Sequence, residues 1–137
     1  MILQPQSKET VEHPILNPAG ESVYELIGNS TQISPAVSPE TTIENPQQPN
    51  HSLAQITIAP GAASQPHYHK ICHESYYVLS GQAIMIIDKQ EFTLDPGLAC
   101  LILPGQVHQI RNDSSQVLEF LAVCVPAWFP SDSVYLD

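Results

Sequence analysis

Turn-forming residues interrupt most of the chain at short intervals and leave little room for a helix. From residue 53 onward, short apolar segments alternate with Pro, Gly, Asp or Asn, and none of them keeps a helical periodicity. In the segment 53–59 apolar and polar side chains alternate, as they do in a strand with one buried face. Further strands are predicted over the segments 67–69, 74–79, 83–88, 92–94, 98–103, 107–111 and 117–125. Short strands joined by tight turns indicate an all-β domain, either a sandwich or a barrel.

The composition predicts one soluble domain with a strongly negative charge. The chain has 137 residues, 42% of them hydrophobic, which is enough for a single core. Its formal net charge of -10 would repel nucleic acid and anionic membranes. We see no signal peptide and no apolar run of membrane-spanning length. Cys72, Cys100 and Cys124 show no Cys-x-x-Cys spacing and favour a reducing compartment, so we expect a cytoplasmic protein.

The two ends of the chain differ in composition from the strand-rich middle. Residues 1–52 are predicted to form an N-terminal arm, with one candidate strand at 22–27 and a long Pro- and Ser-rich loop at 34–50. Residues 53–125 carry the predicted barrel. The tail, 126–137, contains the only tryptophan of the chain, and we expect it to cover the barrel mouth or an interface with a second subunit.

Two histidines one residue apart mark the candidate site. On a strand, His67 and His69 point to the same side, about 6.5 Å apart along the backbone, so both imidazoles reach one point. Glu74 adds a carboxylate from the next segment, and His108 adds a third imidazole after the turn at 104–105. Three neutral imidazoles and one carboxylate suit a first-row divalent metal and leave coordination positions for water or substrate. The sequence therefore predicts a metal site formed by these four residues.

The spacing of these residues resembles the two metal-binding motifs of the cupins, a family of small β-barrels. The first motif is matched by Gly61, His67, His69, Glu74 and Gly81. The second is matched by Gly97, Gly105, His108 and Asn112, except that Leu103 stands where the motif has proline and Pro104 follows one place later. The resemblance covers roughly residues 53–125. It implies a jelly-roll barrel, here preceded by an N-terminal arm.

The resemblance leaves several functions open, since cupins include oxygenases, decarboxylases, isomerases and proteins that only bind. Arg111 is out of phase with His108 and Lys70 is predicted to point outward, so no cation is in place to neutralise a phosphosugar. We therefore expect a small-molecule metalloenzyme whose substrate oxygen binds the metal directly, with dioxygenase-like chemistry preferred over isomerase or decarboxylase. The alternatives are a non-catalytic metal-dependent binding or sensing module and, third, a sugar isomerase or epimerase.

Two residues are candidates for catalysis within that hypothesis. Glu74 is a candidate base as well as a ligand. Tyr76 shares the inward phase of Glu74, and its hydroxyl is expected either to orient the substrate or to fill the barrel. The metal is expected to be one divalent ion of Mn, Fe, Co, Ni, Cu or Zn.

The remaining histidines and Cys72 are expected to be bystanders. His73 should point away from Glu74, His13 and His51 should be exposed, and Cys72 should be an ordinary loop or core thiol. The family resemblance alone implies a homodimer, in which the segment 22–27 adds a strand to the partner's sheet. No nucleic-acid or membrane partner is expected.

Overall fold

Two antiparallel sheets make up the computed structural model, which describes residues 5–29 and 49–137. The strands are β1 (Ile15–Leu16), β2 (Glu21–Ile27), β3 (Ser52–Ile58), β4 (His67–His69), β5 (His73–Ser80), β6 (Ala83–Ile87), β7 (Gln90–Leu94), β8 (Ala99–Ile102), β9 (His108–Arg111), β10 (Leu118–Val125) and β11 (Ser133–Tyr135). A 3-10 helix, Pro130–Asp132, precedes the last strand. The all-β prediction is confirmed. The loop predicted at 34–50 lies outside the described residues except at its end.

The first strands of the chain and its last strand belong to different sheets. The larger sheet has the order β1-β2-β3-β10-β5-β8, and the smaller one has the order β11-β4-β9-β6-β7. Neighbours in each sheet are antiparallel. The two strands of the first predicted motif, β4 and β5, therefore belong to different sheets, and any site that they share must lie between the sheets.

The N-terminal strand β2 pairs with β3 of its own chain. In this register Val23 lies opposite Ile56, and Glu21 lies opposite Ile58. This differs from the expectation that the segment 22–27 would extend a partner's sheet. Without β2, one edge of β3 would expose unpaired N–H and C=O groups, so pairing within the chain satisfies that edge.

The core fills the space between the sheets with inward-facing side chains from both. Along β10, and along β5 as far as Leu79, buried and more exposed residues alternate, as the period of a strand requires. The buried apolar cluster consists of Ile56, Ile58, Tyr76, Val78, Ala83, Met85, Leu94, Ile102, Ile110, Leu118, Phe120 and Ala122. Burying a side chain such as Phe120 stabilises the fold by about 2–3 kcal/mol.

Two glycines of the predicted motifs occupy turns that other residues fit poorly. Gly81 has φ +85°, and a Cβ there would approach the carbonyl oxygen of Val117 to 2.8 Å. Gly105 also has φ +85° and follows Pro104 in a turn closed by the Gln106 N–H to the Leu103 carbonyl, at 3.1 Å. Proline followed by a residue of positive φ is the order of a type II turn. The displaced proline is therefore accommodated in the turn that leads to β9.

Within the described residues, no helix is long and apolar enough to cross a bilayer.

The outer face of the larger sheet exposes Tyr77, Leu79 and Leu101. The homodimer stays a prediction, and a measurement of the mass in solution would decide it.

Asn112, the last residue of the second motif, ties three segments together. Its side chain is fully buried; the amide donates to the carbonyls of Ile58 and Gln116, at 2.9 and 2.7 Å, and its oxygen accepts from the Ser114 N–H. The residue therefore connects the end of β3 to the turn between β9 and β10, and its role is structural.

Replacing Asn112 by Ala should lower the free energy of unfolding by about 2–3 kcal/mol, because it leaves buried backbone groups without partners. Urea unfolding would measure the loss. The exposed neighbour Ser115 provides the control, since Ser115→Ala should change stability by less than about 0.5 kcal/mol. Equal effects of both substitutions would contradict the role given to Asn112.

Candidate metal centre

Strand pairing brings the four predicted ligands together between the two sheets. His67 on β4 lies directly opposite His108 on β9, whereas Glu74 approaches from β5 in the larger sheet. One donor atom from each of His67, His69, Glu74 and His108 lies within 4.8 Å of all the others. The cluster is the grouping that the sequence predicts, and its binding of a metal stays a prediction.

Each imidazole is oriented through its Nδ1 atom. His67 Nδ1 lies 2.7 Å from the Gln65 carbonyl oxygen, and His108 Nδ1 lies 3.0 Å from that of Gln106. A carbonyl can only accept, so both Nδ1 atoms carry a proton and both Nε2 atoms present a lone pair. His69 Nδ1 lies 3.2 Å from the Ser133 hydroxyl, which fits the same arrangement. Nitrogen ligands of metals are commonly oriented in this way.

The Nε2 atoms of two of these rings lie close to one carboxylate oxygen, and His69 is within hydrogen-bonding distance of it. Glu74 Oε1 lies 3.2 Å from His69 Nε2 and 3.3 Å from His108 Nε2. His108 Nε2 is buried and has no hydrogen-bond partner among the described residues. Ligands bound at about 2.1 Å and at right angles to one another lie about 3 Å apart, so these separations fit a shared metal ion. The donor set and the unpartnered nitrogen both agree with a divalent cation.

The other oxygen of Glu74 is held by a thiol. The Cys124 Sγ–H donates to Glu74 Oε2 at 3.0 Å, from the position directly opposite on β10. The neighbouring Cys72 thiol, burial and the charge of Glu74 together raise the pKa of Cys124, so Cys124 stays a neutral donor. The sequence analysis missed this contact between Cys124 and a candidate ligand.

Burial and mutual charge set the protonation of the site. Burial, with the neighbouring His108 acting in the same direction, lowers the pKa of His67 to about 4. Burial also opposes the charged form of His69, but the Glu74 carboxylate outweighs it and raises the pKa of that histidine. Burial alone would raise the pKa of Glu74, but His108 and His69 hold it well below the usual range. The carboxylate is ionised, and His67 remains neutral and ready to coordinate.

The cluster opens into a cavity of about 250 Å³. Its wall combines apolar side chains with a few ionisable ones, and no Lys or Arg is among the lining residues. Strand β2 contributes Glu21, Val23 and Glu25 to the wall, and β5 contributes Glu74 and Tyr76. The sequence analysis missed Glu21 and Glu25. The signal that could have found them is their alternation with Val23, which places both acids on the same face of β2, a strand that begins one residue before the predicted segment 22–27.

Tyr76 lies inside, as predicted, with 3% of its surface exposed. Its ring packs against Phe120, with ring centroids 4.7 Å apart, and its hydroxyl interacts with the Glu74 carboxylate. Burial and the charges of Glu74 and Glu21 raise the pKa of Tyr76 well above its usual value. The hydroxyl therefore stays protonated and can donate a hydrogen bond toward the cavity.

The C-terminal tail folds back onto its own chain and becomes part of the site. Strand β11 pairs with β4, which places Ser133 opposite His69 and Tyr135 opposite His67. The Trp128 indole donates to the Ser133 hydroxyl at 3.0 Å, and Trp128 lines the cavity.

The predicted bystanders lie outside the cluster. His73 is exposed on the opposite face of β5, and His13 is exposed as well. His51 is half-buried, where full exposure was expected. Cys72 is buried and donates to the Pro126 carbonyl at 3.3 Å.

Acidification should destabilise the metal-free protein through His67. A histidine of the unfolded chain titrates near pH ~6.5, whereas His67 in the folded chain titrates at about 4. Between these values the unfolded state binds more protons, so the free energy of unfolding falls as the pH falls.

Urea unfolding in the presence of a chelator would measure this effect at about pH 7 and about pH 5. Because His67 is partly exposed, we expect the natural chain to lose only about 1 kcal/mol more than the His67→Gln variant, whose side chain does not titrate. Equal losses would contradict the lowered pKa.

Comparison with known proteins identifies the family. A family model described as the cupin domain matches residues 54–124, slightly more than half of the chain. An oxalate-binding protein of Thermotoga maritima is 31% identical over 73 residues, covering 53% of this chain and 60% of that protein. Quercetin 2,3-dioxygenase of Bacillus subtilis is 38% identical over 63 residues, covering 46% of this chain and 18% of the enzyme.

A solved structure extends the likeness beyond the matched residues. A variant of Bacillus subtilis oxalate decarboxylase superposes with a TM-score of 0.69 at 22% identity, covering 91% of this chain and 30% of that one. This likeness concerns the fold alone. The chain spans less than two thirds of each of these three proteins. From the family match, the two-sheet fold and the histidine–glutamate cluster, we conclude that the chain belongs to the cupin family.

Proposed function

We propose that the protein is a metal-dependent enzyme that oxidises a small molecule, in dioxygenase-like chemistry, with a substrate oxygen bound directly to the metal. His67, His69, Glu74 and His108 would hold one divalent transition metal ion. The observation that carries the proposal is the opening of this buried cluster into a cavity of about 250 Å³ that contains further proton-bearing groups. A purely structural metal site would be closed by four ligands and would need no such space.

A divalent redox metal at this position would act as a Lewis acid toward a substrate oxygen and would bring O₂ and substrate together. The residues of the chain supply orientation and protons. The Tyr76 hydroxyl, kept protonated beside Glu74, is placed to donate a hydrogen bond to a bound oxygen. Because the pKa of Glu74 is lowered, Glu74 is a weaker base than an ordinary carboxylate, so we assign it the role of ligand first.

Similarity to quercetin 2,3-dioxygenase supports oxidation, although the matched part is a small share of that enzyme. The main alternative is a non-catalytic binding module, which the likeness to an oxalate-binding protein favours. The cavity argues against oxalate itself as the ligand of this chain. A dianion would meet the carboxyl group of Glu21 on the wall, and no basic side chain is among the described lining residues.

A sugar-phosphate isomerase is a weaker alternative for the same reason. Each of the four basic residues is accounted for outside the cavity: Lys70 and Lys89 are exposed, Lys8 pairs with Glu119, and Arg111 pairs with Asp113 at 2.8 Å. A phosphate entering the cavity would thus have no cation other than the metal.

Protein produced with trace metals available should contain about one equivalent of a divalent transition metal. His108→Ala should lose most of it, because the buried Nε2 atom is one of the donors. His73→Ala is the matched control, since His73 is exposed and close in sequence to the ligands. Elemental analysis of the purified proteins would check this. Metal-free natural protein, or equal metal in all three, would overturn the metal site.

The metal-loaded protein should consume O₂ when supplied with small enols or vicinal diols, as an oxygen electrode would record. Tyr76→Phe should lower kcat/KM at least about tenfold while the metal content is unchanged, because the lost hydroxyl donates to substrate rather than to metal. Tyr77→Phe is the control, since Tyr77 is 45% exposed on the outer face. If every metal-loaded form consumed no oxygen, the enzyme proposal would give way to the binding module.

A further inference from the structure

The wall of the cavity opposite the metal cluster carries a carboxyl group that the proposed chemistry leaves unused. Glu21 is the first residue of β2 and lines the cavity together with Glu74. Its side chain makes no hydrogen bond or ion pair within the ranges 5–29 and 49–137. A half-buried carboxyl group in an apolar wall is unfavourable unless a donor satisfies it. Its inward direction therefore calls for an explanation other than fold stability.

Of the two acids on β2, Glu21 is the one turned toward the cavity contents. Glu25 is 4% exposed, and its carboxyl group packs against Gly28, where a Cβ would collide with it. Glu21 is half-buried and lines the cavity. Burial raises the pKa of Glu21, and the charge of Glu74 acts in the same direction, so the two carboxyl groups sense each other across the cavity.

Glu21 and Glu74 lie at different places in the larger sheet. Strands β3 and β10 separate β2 from β5, and Glu21 pairs with Ile58 at one end of β3, whereas Glu74 pairs through Cys124 with the other end, at Ser52. The wall between them is apolar, formed by Val23, Ala54, Ile56 and Ala122. A ligand that binds the metal at one end would thus reach Glu21 with its other end across an apolar body.

The charges decide which ligand suits this arrangement. Glu21 adds a carboxyl group to a wall whose described lining residues include no Lys or Arg. A carboxylate accepts hydrogen bonds and cannot donate them. An anionic group at the far end would be repelled, an apolar one would leave Glu21 unsatisfied, and a hydroxyl would donate to it.

We propose that Glu21 determines substrate specificity by accepting a hydrogen bond from a hydroxyl group at the end of the substrate remote from the metal. The substrate class is then an uncharged small molecule with metal-binding oxygens at one end, an apolar body and a hydroxyl donor at the other. This inference rests on the proposed function, because it takes the histidine–glutamate cluster as the place where the substrate binds.

Three catechols that differ only at the remote position test the inference. They share vicinal oxygens for the metal and an aromatic body, and carry hydroxymethyl, methyl or carboxylate at the far end: 3,4-dihydroxybenzyl alcohol, 4-methylcatechol and 3,4-dihydroxybenzoate. Calorimetric titration of the zinc-loaded protein under nitrogen would measure binding without oxidation. We expect the hydroxymethyl compound to bind about tenfold more tightly than the methyl compound, and the carboxylate to bind most weakly.

The Glu21→Gln variant should reduce the preference for hydroxymethyl over carboxylate at least about tenfold, because the amide can donate to the anion and carries no charge. Glu12→Gln, at an exposed position, should keep the natural preference. The ratio of affinities is the decisive quantity, since a purely structural defect would weaken all three compounds alike.

An unchanged ratio in Glu21→Gln would overturn the inference, as would a natural chain that prefers the carboxylate or binds none of the three. None of these results bears on whether the protein holds a metal or consumes O₂, which are measured separately. Conversely, the predicted affinity ratios without any oxygen consumption would leave Glu21 as a specificity residue of a binding module.

Discussion

The meeting of three imidazoles with one buried carboxylate is the interaction on which the rest of the structure depends. Burying the ionised Glu74 is costly unless its charge is compensated. The Gln65 and Gln106 carbonyls hold the Nδ1 protons of His67 and His108, so neither neutral ring supplies positive charge to the carboxylate. His69 Nε2 lies within hydrogen-bonding distance of Glu74 Oε1, at 3.2 Å, so a proton on that ring compensates part of the charge. The raised pKa of His69 shows the same need, since a proton there partly supplies that charge.

A divalent ion would satisfy this need better than a proton, because it can interact with all four donors at once. The donors come from both sheets, with Glu74 on the larger one and the histidines on the smaller one. The position of the cluster therefore depends on how the sheets pack, and the core that fixes their separation includes Met85 and Phe120. The ligand geometry is thus a property of the whole fold rather than of one loop.

What the sequence could predict follows from local patterns. Alternation within short segments predicted most strands, and the phase of those strands predicted that Tyr76 faces inward and His73 outward. The four candidate ligands were accessible for the same reason, because their spacing within two short sequence motifs is a local property. The part that sequence reasoning missed depends on pairing between distant segments. Cys124 contacts Glu74 only because of the register between β10 and β5, and Glu21 reaches the cavity only because β2 pairs with β3.

The role of Tyr76 also depends on pairing between distant segments, which the sequence does not reveal. Its inward phase is readable from the sequence, but the choice between core filler and substrate contact depends on whether empty space lies beside it. That space exists because small side chains such as Ala54 and Ala122 face it from β3 and β10. Their size could be read from the sequence, whereas their position opposite a tyrosine could not.

The C-terminal tail contacts the candidate ligand His69 and the loop between β4 and β5. Asp132 is fully buried, and its carboxylate accepts from the Ile71 and Cys72 N–H groups, at 2.7 and 3.1 Å, in the loop between β4 and β5. These bonds compensate the buried charge and fix the loop that separates His69 from Glu74. Ser133, one residue further, contacts His69 Nδ1. Because the docked tail holds His69 and the loop that leads to Glu74, a bound metal and the docked tail would stabilise each other to the same extent, as thermodynamic linkage requires.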